Sequence, residues 1–263
     1  MKQPLLTSYD LHDPRVTAFS TTRQGGYSQG PYGELNINPY CGDDELSVSR
    51  NRALLCRHLG IADDRLLMPH QTHQTQVLAV DEPFLRLTPD ERRQRMEGVD
   101  ALTTHVEDLC IGVSTADCIP LLLYDARHGA VSAVHAGWRG TVGRIARQAV
   151  RAMTDAYGSR PADLMAVVGP GISLESFEVG QEVYDAFLQA GFDMAPISRR
   201  YAKWHIDLPA SNRLQLVDAG LRPDRILMSG VCTYQHPDRY FSARRLGIRS
   251  GRIFTAIMLR PNV

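Results

Sequence analysis

The stretch Ile119-Pro-Leu-Leu-Leu-Tyr124, Asp125-Ala-Arg-His-Gly129, Ala130-Val-Ser-Ala-Val134 decides the fold. Its first six residues are almost wholly apolar, the pattern of a strand buried on both faces. Asp125 to Gly129 carries turn residues, and Ala130 to Val134 returns as a second β-rich run. Two such runs around a short polar loop make an antiparallel hairpin. Pro120 has no N–H to give a ladder, so it belongs at a strand start or an edge.

Working outward, further strands are read at Ile111–Thr115, Leu164–Val168, Arg225–Val231 and Arg252–Leu259. Helical spacing places Val142, Ile145, Ala146, Ala149, Val150 and Met153 on one face, stopped by Gly158. Gln181–Ala190 repeats that pattern ahead of Gly191. Val48–Leu59 is a third helix, and Ser211–Ala219 a fourth with Ser211 as its N-cap. The polar stretch from Asp81 to Glu97, with Pro83 and Pro89, reads as a surface excursion or short helix. No strict βαβ rhythm links these elements. The prediction is an α+β fold of mixed, largely antiparallel β-sheet layers flanked by helices, in a single domain over residues 1–263.

The balance of charge narrows the function. The chain of 263 residues has 29 Lys and Arg against 29 Asp and Glu. A dedicated nucleic-acid binder needs a basic excess to neutralise phosphates, so none is expected as a partner. No apolar run approaches the roughly 20 residues that span a bilayer, which argues against a membrane partner. The N-terminus, MKQPLLTSYDLHDPRV, is too polar for a secretory signal. Five widely spaced cysteines without a C-x-x-C predict reduced thiols rather than a disulfide framework. These features together predict a soluble, cytoplasmic protein.

Two segments place ionisable, metal-competent side chains at the ends of apolar strands: Thr115-Ala-Asp-Cys-Ile-Pro120 and Val134-His-Ala-Gly-Trp-Arg-Gly140. With the hairpin turn centred near Ala126 to His128, Cys118 lies opposite a residue between 134 and 138, a range that includes His135. A third segment, Met68-Pro-His-Gln-Thr-His-Gln-Thr-Gln-Val77, brings His70 and His73. One of these with Cys118 and His135 makes a His2Cys set, and three protein ligands with an open fourth position is the usual form of a catalytic zinc site. The same residues also suit a cysteine hydrolase, with Cys118 as nucleophile, His135 as base and Asp117 or a distant acid as orienter. Taken singly, each fits an ordinary structural role. The nine histidines include no His-x-His pair, which counts against a multicopper cluster. The P-C-x-x-C of cytidine-type zinc deaminases and the H-E-x-x-H of zincins are absent. Arg23, Arg52, Arg139 and the pair Arg244 and Arg245 are the cations available to an anionic substrate.

The A-D-C and H-A-G-W-R-G elements resemble the signature of the YfiH-type family, also called laccase-domain proteins, polyphenol oxidases or peptidoglycan editing factors. Phe19-Ser-Thr-Thr-Arg-Gln-Gly-Gly26, Asn51-Arg52, Gln71-Thr-His73, Phe177-Glu-Val179, Cys232-Thr-Tyr234 and Phe241-Ser-x-x-Arg245 extend the likeness over nearly the whole chain. The resemblance implies a YfiH-like fold, akin to the cytotoxic necrotizing factor-like cysteine hydrolases, with Zn2+ held by His73, Cys118 and His135. It further implies purine nucleoside and phosphate as small-molecule partners: phosphorolysis of adenosine, inosine and methylthioadenosine, and deamination of adenosine. Copper-linked polyphenol oxidation (laccase) and amidase editing of a peptidoglycan precursor are the alternatives it carries. On this reading Asp117 is a catalytic acid, and Gln71, Arg52, Arg139 and Arg245 bind substrate. Pro69-His-Gln-Thr-His-Gln departs from the Q-V-H-G of many relatives, at His70 and Gln74.

Overall fold

In the computed structural model the hairpin forms where its sequence places it. Ile119–Asp125 pairs antiparallel with Ala130–Ala136, Ile119 opposite Ala136 and Pro120 opposite His135. Pro120 is the second residue of its strand, the position its missing N–H allows. The structure describes residues 5–261, so the two ends of the expected 1–263 domain lie outside the described residues.

The hairpin is the centre of a six-stranded sheet. Its order is Ile226–Met228, Met165–Val168, Ile119–Asp125, Ala130–Ala136, Val99–Thr104, Gln76–Val80. A five-stranded sheet runs Leu6–Tyr9, Val16–Thr21, Ile253–Leu259, Cys110–Thr115, Leu66–Leu67. A small third sheet joins Glu178–Val179, Trp204–Ile206 and Ser198–Arg200. Eight of the eleven strand pairings among the described residues are antiparallel, as the sequence predicts.

Side-chain alternation stacks these sheets. Ile119, Leu121 and Leu123 point to one face, where they pack with Ala146, Ala149 and Met153. Leu122 and Tyr124 point to the other, where they meet Ile111, Val113 and Ile257 of the five-stranded sheet. All five hairpin residues are fully buried, each worth roughly 1.5–3 kcal/mol for a side chain of the Leu or Ile kind. The far face of the five-stranded sheet packs Phe19, Phe254 and Met258 on Leu55 and Leu59 of the helix Glu45–Leu59. The layers are therefore helix, sheet, sheet, helix.

Four segments differ from their sequence reading, the first being the helix read from Val48, which begins at Glu45 because Asp44 caps it by accepting from the Ser47 N–H. Val142 ends a separate helix, Trp138–Val142, and Arg144 at φ 62 redirects the chain before Ile145–Tyr157 begins. Arg144 holds that turn by donating to the Ala190 carbonyl at 2.8 Å and stacking on Phe192. The helix expected at Ser211 starts a turn earlier, at Leu208–Asp218, because Asp207 caps Ala210 N–H and Pro209 suits the first turn. The polar stretch from Asp81 folds as two short helices, Glu82–Leu85 and Pro89–Arg95, the second with a complete capping box on Thr88 and Glu91.

Candidate metal centre

Strand parity brings the hairpin's two reactive residues to one face. His135 shares the inner face with Val131 and Ala133, which lie in the core between the sheets. Continuing the ladder past Ile119–Ala136 sets Cys118 opposite Gly137, on the same face as Pro120 and His135. Both side chains therefore point into the mouth where the sheets part. His73 arrives from the loop between Leu66–Leu67 and Gln76–Val80, with a left-handed backbone at φ 63. The ligand atoms of His73, Cys118 and His135 all lie within 4.8 Å of one another. The His73 and His135 rings meet edge to face with centroids 4.8 Å apart.

Asp100 ties the strand histidine to the loop histidine. It sits one residue beyond the Ala101–Val134 pair, which places it opposite His135, and it is fully buried. His135 Nδ1 lies 2.7 Å from its carboxylate, which leaves Nε2 as the ring nitrogen free to hold a metal. The same carboxylate accepts the backbone N–H groups of His73 at 3.1 Å and Gln74 at 2.7 Å. One acid thus orients the His135 ring and fixes the loop that carries His73. A carboxylate behind a ligating histidine is a usual support of a zinc ligand.

These contacts set the charges. Burial opposes ionisation of Asp100, but His135 and the two backbone N–H groups keep its carboxyl below the usual carboxylate range. Burial alone would push the Cys118 thiol up. The His135 and His73 imidazoles outweigh it and bring the thiol down to about 6. Burial likewise disfavours a charged His135, yet the Cys118 sulfur and the Asp100 carboxylate raise it to about 9.

The donor set suits a divalent transition ion: two imidazole nitrogens, one readily ionised thiol and a carboxylate support. Gly137 leaves room for it. A Cβ at that position would stand 3.0 Å from Cys118 Sγ and 3.1 Å from His73 Cδ2. Among the described residues this is the one cluster of such side chains with metal-holding geometry.

A cavity of about 340 Å3 opens from the cluster. Its walls include Asn38, Ser114, Thr115, the stacked rings of Tyr40 and His70, and Ala243, Ile248 and Arg252. Gln71 lines it too, but both ends of its amide are held by the Ser114 backbone, at 2.9 and 2.8 Å. The other expected site residues do not line it. Asp117 spends its carboxylate on Thr233 and the Arg244 N–H, each at 2.7 Å. Arg52 pairs with Asp63 and the Leu66 carbonyl, Arg139 lies over its neighbour Trp138, and Arg245 reaches the Tyr234 hydroxyl. Sequence reasoning passed over Asp100 and Arg252. The signal for Asp100 was present: a lone acid between Val99 and Ala101 in a β run needs a buried partner. Arg252 stands just before an apolar strand, where nothing in its spacing sets it apart from other arginines.

Comparison with known proteins gives the chain's family. Residues 17–260 match a family model described as multi-copper polyphenol oxidoreductase laccase. A protein from Bacteroides thetaiotaomicron named purine nucleoside phosphorylase is 45% identical over 257 residues, covering 97% of this chain and 94% of that protein. One named adenosine deaminase, from an unknown prokaryotic organism, is 46% identical over 245 residues, covering 92% and 93%. Among solved structures, YlmD from Geobacillus stearothermophilus superposes with a TM-score of 0.88 at 30% identity, covering 94% of this chain and 93% of that one. The hypothetical protein YfiH from Bacillus licheniformis gives 0.87 at 29% identity, covering 95% and 98%. The fold, the matched residues and these relatives together make the chain a member of the laccase-domain or YfiH family, the one described as multi-copper polyphenol oxidoreductase laccase.

Proposed function

We propose that the protein is a zinc-dependent purine nucleoside enzyme that cleaves adenosine, inosine and methylthioadenosine with phosphate and deaminates adenosine. The observation that carries this reading is the convergence of His73, Cys118 and His135, braced by Asp100, at the floor of a cavity of about 340 Å3. Relatives named purine nucleoside phosphorylase and adenosine deaminase, 45% and 46% identical, support the substrate class. His73, Cys118 and His135 would hold the ion, which would supply Lewis acidity to the reactants.

The chain's own groups bind and orient the reactants. The Tyr40 and His70 rings, stacked with centroids 4.2 Å apart, give a flat wall for a purine base. Arg252 is the cation among the cavity-lining residues, and it takes the phosphate. Its guanidinium also donates to the carbonyls of Ile248, Ser250 and Gly251, so it braces the loop that walls the cavity. His70 Nδ1 stands 2.8 Å from both Glu97 carboxylate oxygens, a pair at the cavity wall able to hold and pass a proton. This assignment replaces Asp117 as the proton-handling group, since the Asp117 carboxylate is engaged elsewhere.

A second reading has one observation in its favour. Cys118, His135 and Asp100 stand in the order nucleophile, base and orienter, which suits a cysteine amidase acting on a peptidoglycan precursor. Product analysis separates the two. The protein is incubated with each nucleoside plus phosphate, and separately with a muramoyl-amino-acid conjugate after chelation. Free base and ribose 1-phosphate, or inosine from adenosine, support the nucleoside reading. Cleavage of the conjugate alone, by chelated protein, refutes it.

A further inference from the structure

Thr115 is 1% exposed, and its Oγ1 has no hydrogen-bond partner among the described residues. It lines the same cavity as His73, Cys118 and His135. It ends the strand Cys110–Thr115 and shares its inner face with Ile111 and Val113, so it looks across the mouth between the sheets towards the face that carries His135. The neighbouring neutral polar groups are already engaged. Ser114 Oγ accepts from Asn38, and the Gln71 amide pairs with the Ser114 backbone. A buried hydroxyl left unpaired destabilises the fold, and a fold seldom keeps one without use.

We propose that the Thr115 hydroxyl binds a hydroxyl of the substrate's ribose. This inference rests on the nucleoside reading of the cavity and deepens it. The flat base has the Tyr40 and His70 wall, and the phosphate has Arg252. What remains of such a substrate is a ring of hydroxyls. Each both donates and accepts, and Thr115 offers the same two capacities in return. A ribose hydroxyl seated there would meet a group that has no competing protein partner, so the bond forms at no cost of breaking another.

The test compares wild type with Thr115→Val, which keeps the shape and removes the hydroxyl, and with Thr115→Ser, which keeps the hydroxyl. Substrates are adenosine, 2′-deoxyadenosine and 3′-deoxyadenosine, each with phosphate. Thr115→Val is expected to lose roughly 10- to 100-fold in kcat/KM on adenosine, the size of one buried hydrogen bond to substrate. Thr115→Ser is expected to retain most activity. On one of the two deoxy substrates, Thr115→Val and wild type should converge, since the group Thr115 meets is already gone. Metal content should be unchanged, and Thr115→Val should melt no lower than wild type, because it removes an unpaired buried polar atom. Full activity of Thr115→Val on adenosine beside an active wild type overturns the inference alone, with an ordered water as the hydroxyl's only partner. So does an equal loss on all three substrates, or a lowered melting temperature that assigns the hydroxyl a structural bond. A wild type that turns over no nucleoside overturns the functional reading, and this inference with it.

Discussion

Gly137→Ala tests the metal cradle without touching a ligand. Gly137 has φ −68 and ψ 171, a conformation open to any residue, so the backbone itself resists the change little. The added Cβ would stand 3.0 Å from Cys118 Sγ, 3.1 Å from His73 Cδ2 and 3.7 Å from His135 Cε1. Ordinary contact needs about 3.5–4.0 Å, so Cys118 and His73 must each give way by roughly 0.5 Å. That equals the tolerance within which a working constellation is held, about 0.5 Å. Metal affinity should fall about 10- to 100-fold, or about 1.4–2.7 kcal/mol. The fold should suffer less than the usual 1–3 kcal/mol of overpacking, because His73 rides an exposed loop that can yield. Competition titration against a chelator reads the affinity, and thermal melts with and without metal read the fold. The metal-free melts should nearly coincide, and a gap should open when metal is present. Wild-type affinity in Gly137→Ala would mean that the three side chains do not close on a common ion.

Four further outcomes follow from the structure. Asp100→Asn removes the charge behind His135 and turns one acceptor oxygen into an NH2 that must face either the Gln74 N–H or the position shared by the His73 N–H and His135, so metal affinity should drop about 10- to 100-fold and stability by about 3 kcal/mol, read by chelator competition and urea melts. Because the Asp100 carboxyl is held below its ordinary range, its stabilisation is present above that range and is lost as pH falls through it, so the urea midpoints of wild type and Asp100→Asn should converge in acid. In chelated protein, iodoacetamide should alkylate Cys118 with a midpoint near pH 6, ahead of Cys41, Cys56 and Cys110, whose thiols burial pushes up; mass mapping checks the order, and added zinc should protect Cys118. Arg252→Ala should raise the KM for phosphate about tenfold or more in steady-state assays while changing the KM for nucleoside less.

Local signals made the hairpin legible. An apolar run, a turn with Asp125 and Gly129, and a β-rich return fixed the antiparallel pairing, and the register followed closely enough to put Cys118 near His135. The strand Val99–Thr104 was not legible in the same way. It carries Asp100 and Thr103 among its six residues, and its burial comes from neighbours distant in sequence, Gln76–Val80 and Ala130–Ala136. That is why Asp100 went unseen, although it organises both histidines. The choice of His73 over His70 rested on family likeness, because spacing treats them alike. In the fold they part: His73 turns towards Cys118, and His70 pairs with Glu97 and stacks on Tyr40. The arginines were assigned by charge and position in the chain, and neither reveals where a long side chain finds its partner. Arg52 and Asp63 show this, since their pairing depends on how the helix Glu45–Leu59 meets the turn after it.

The central claim is that His73, Cys118 and His135 hold a zinc ion that nucleoside turnover requires. The most direct measurement takes protein purified without added metal, determines its metal content by elemental analysis, and follows adenosine with phosphate in the same preparation, beside Cys118→Ala. The account predicts close to one zinc per chain with turnover in the native protein, and loss of both in the variant. Turnover that persists in metal-free Cys118→Ala would contradict it.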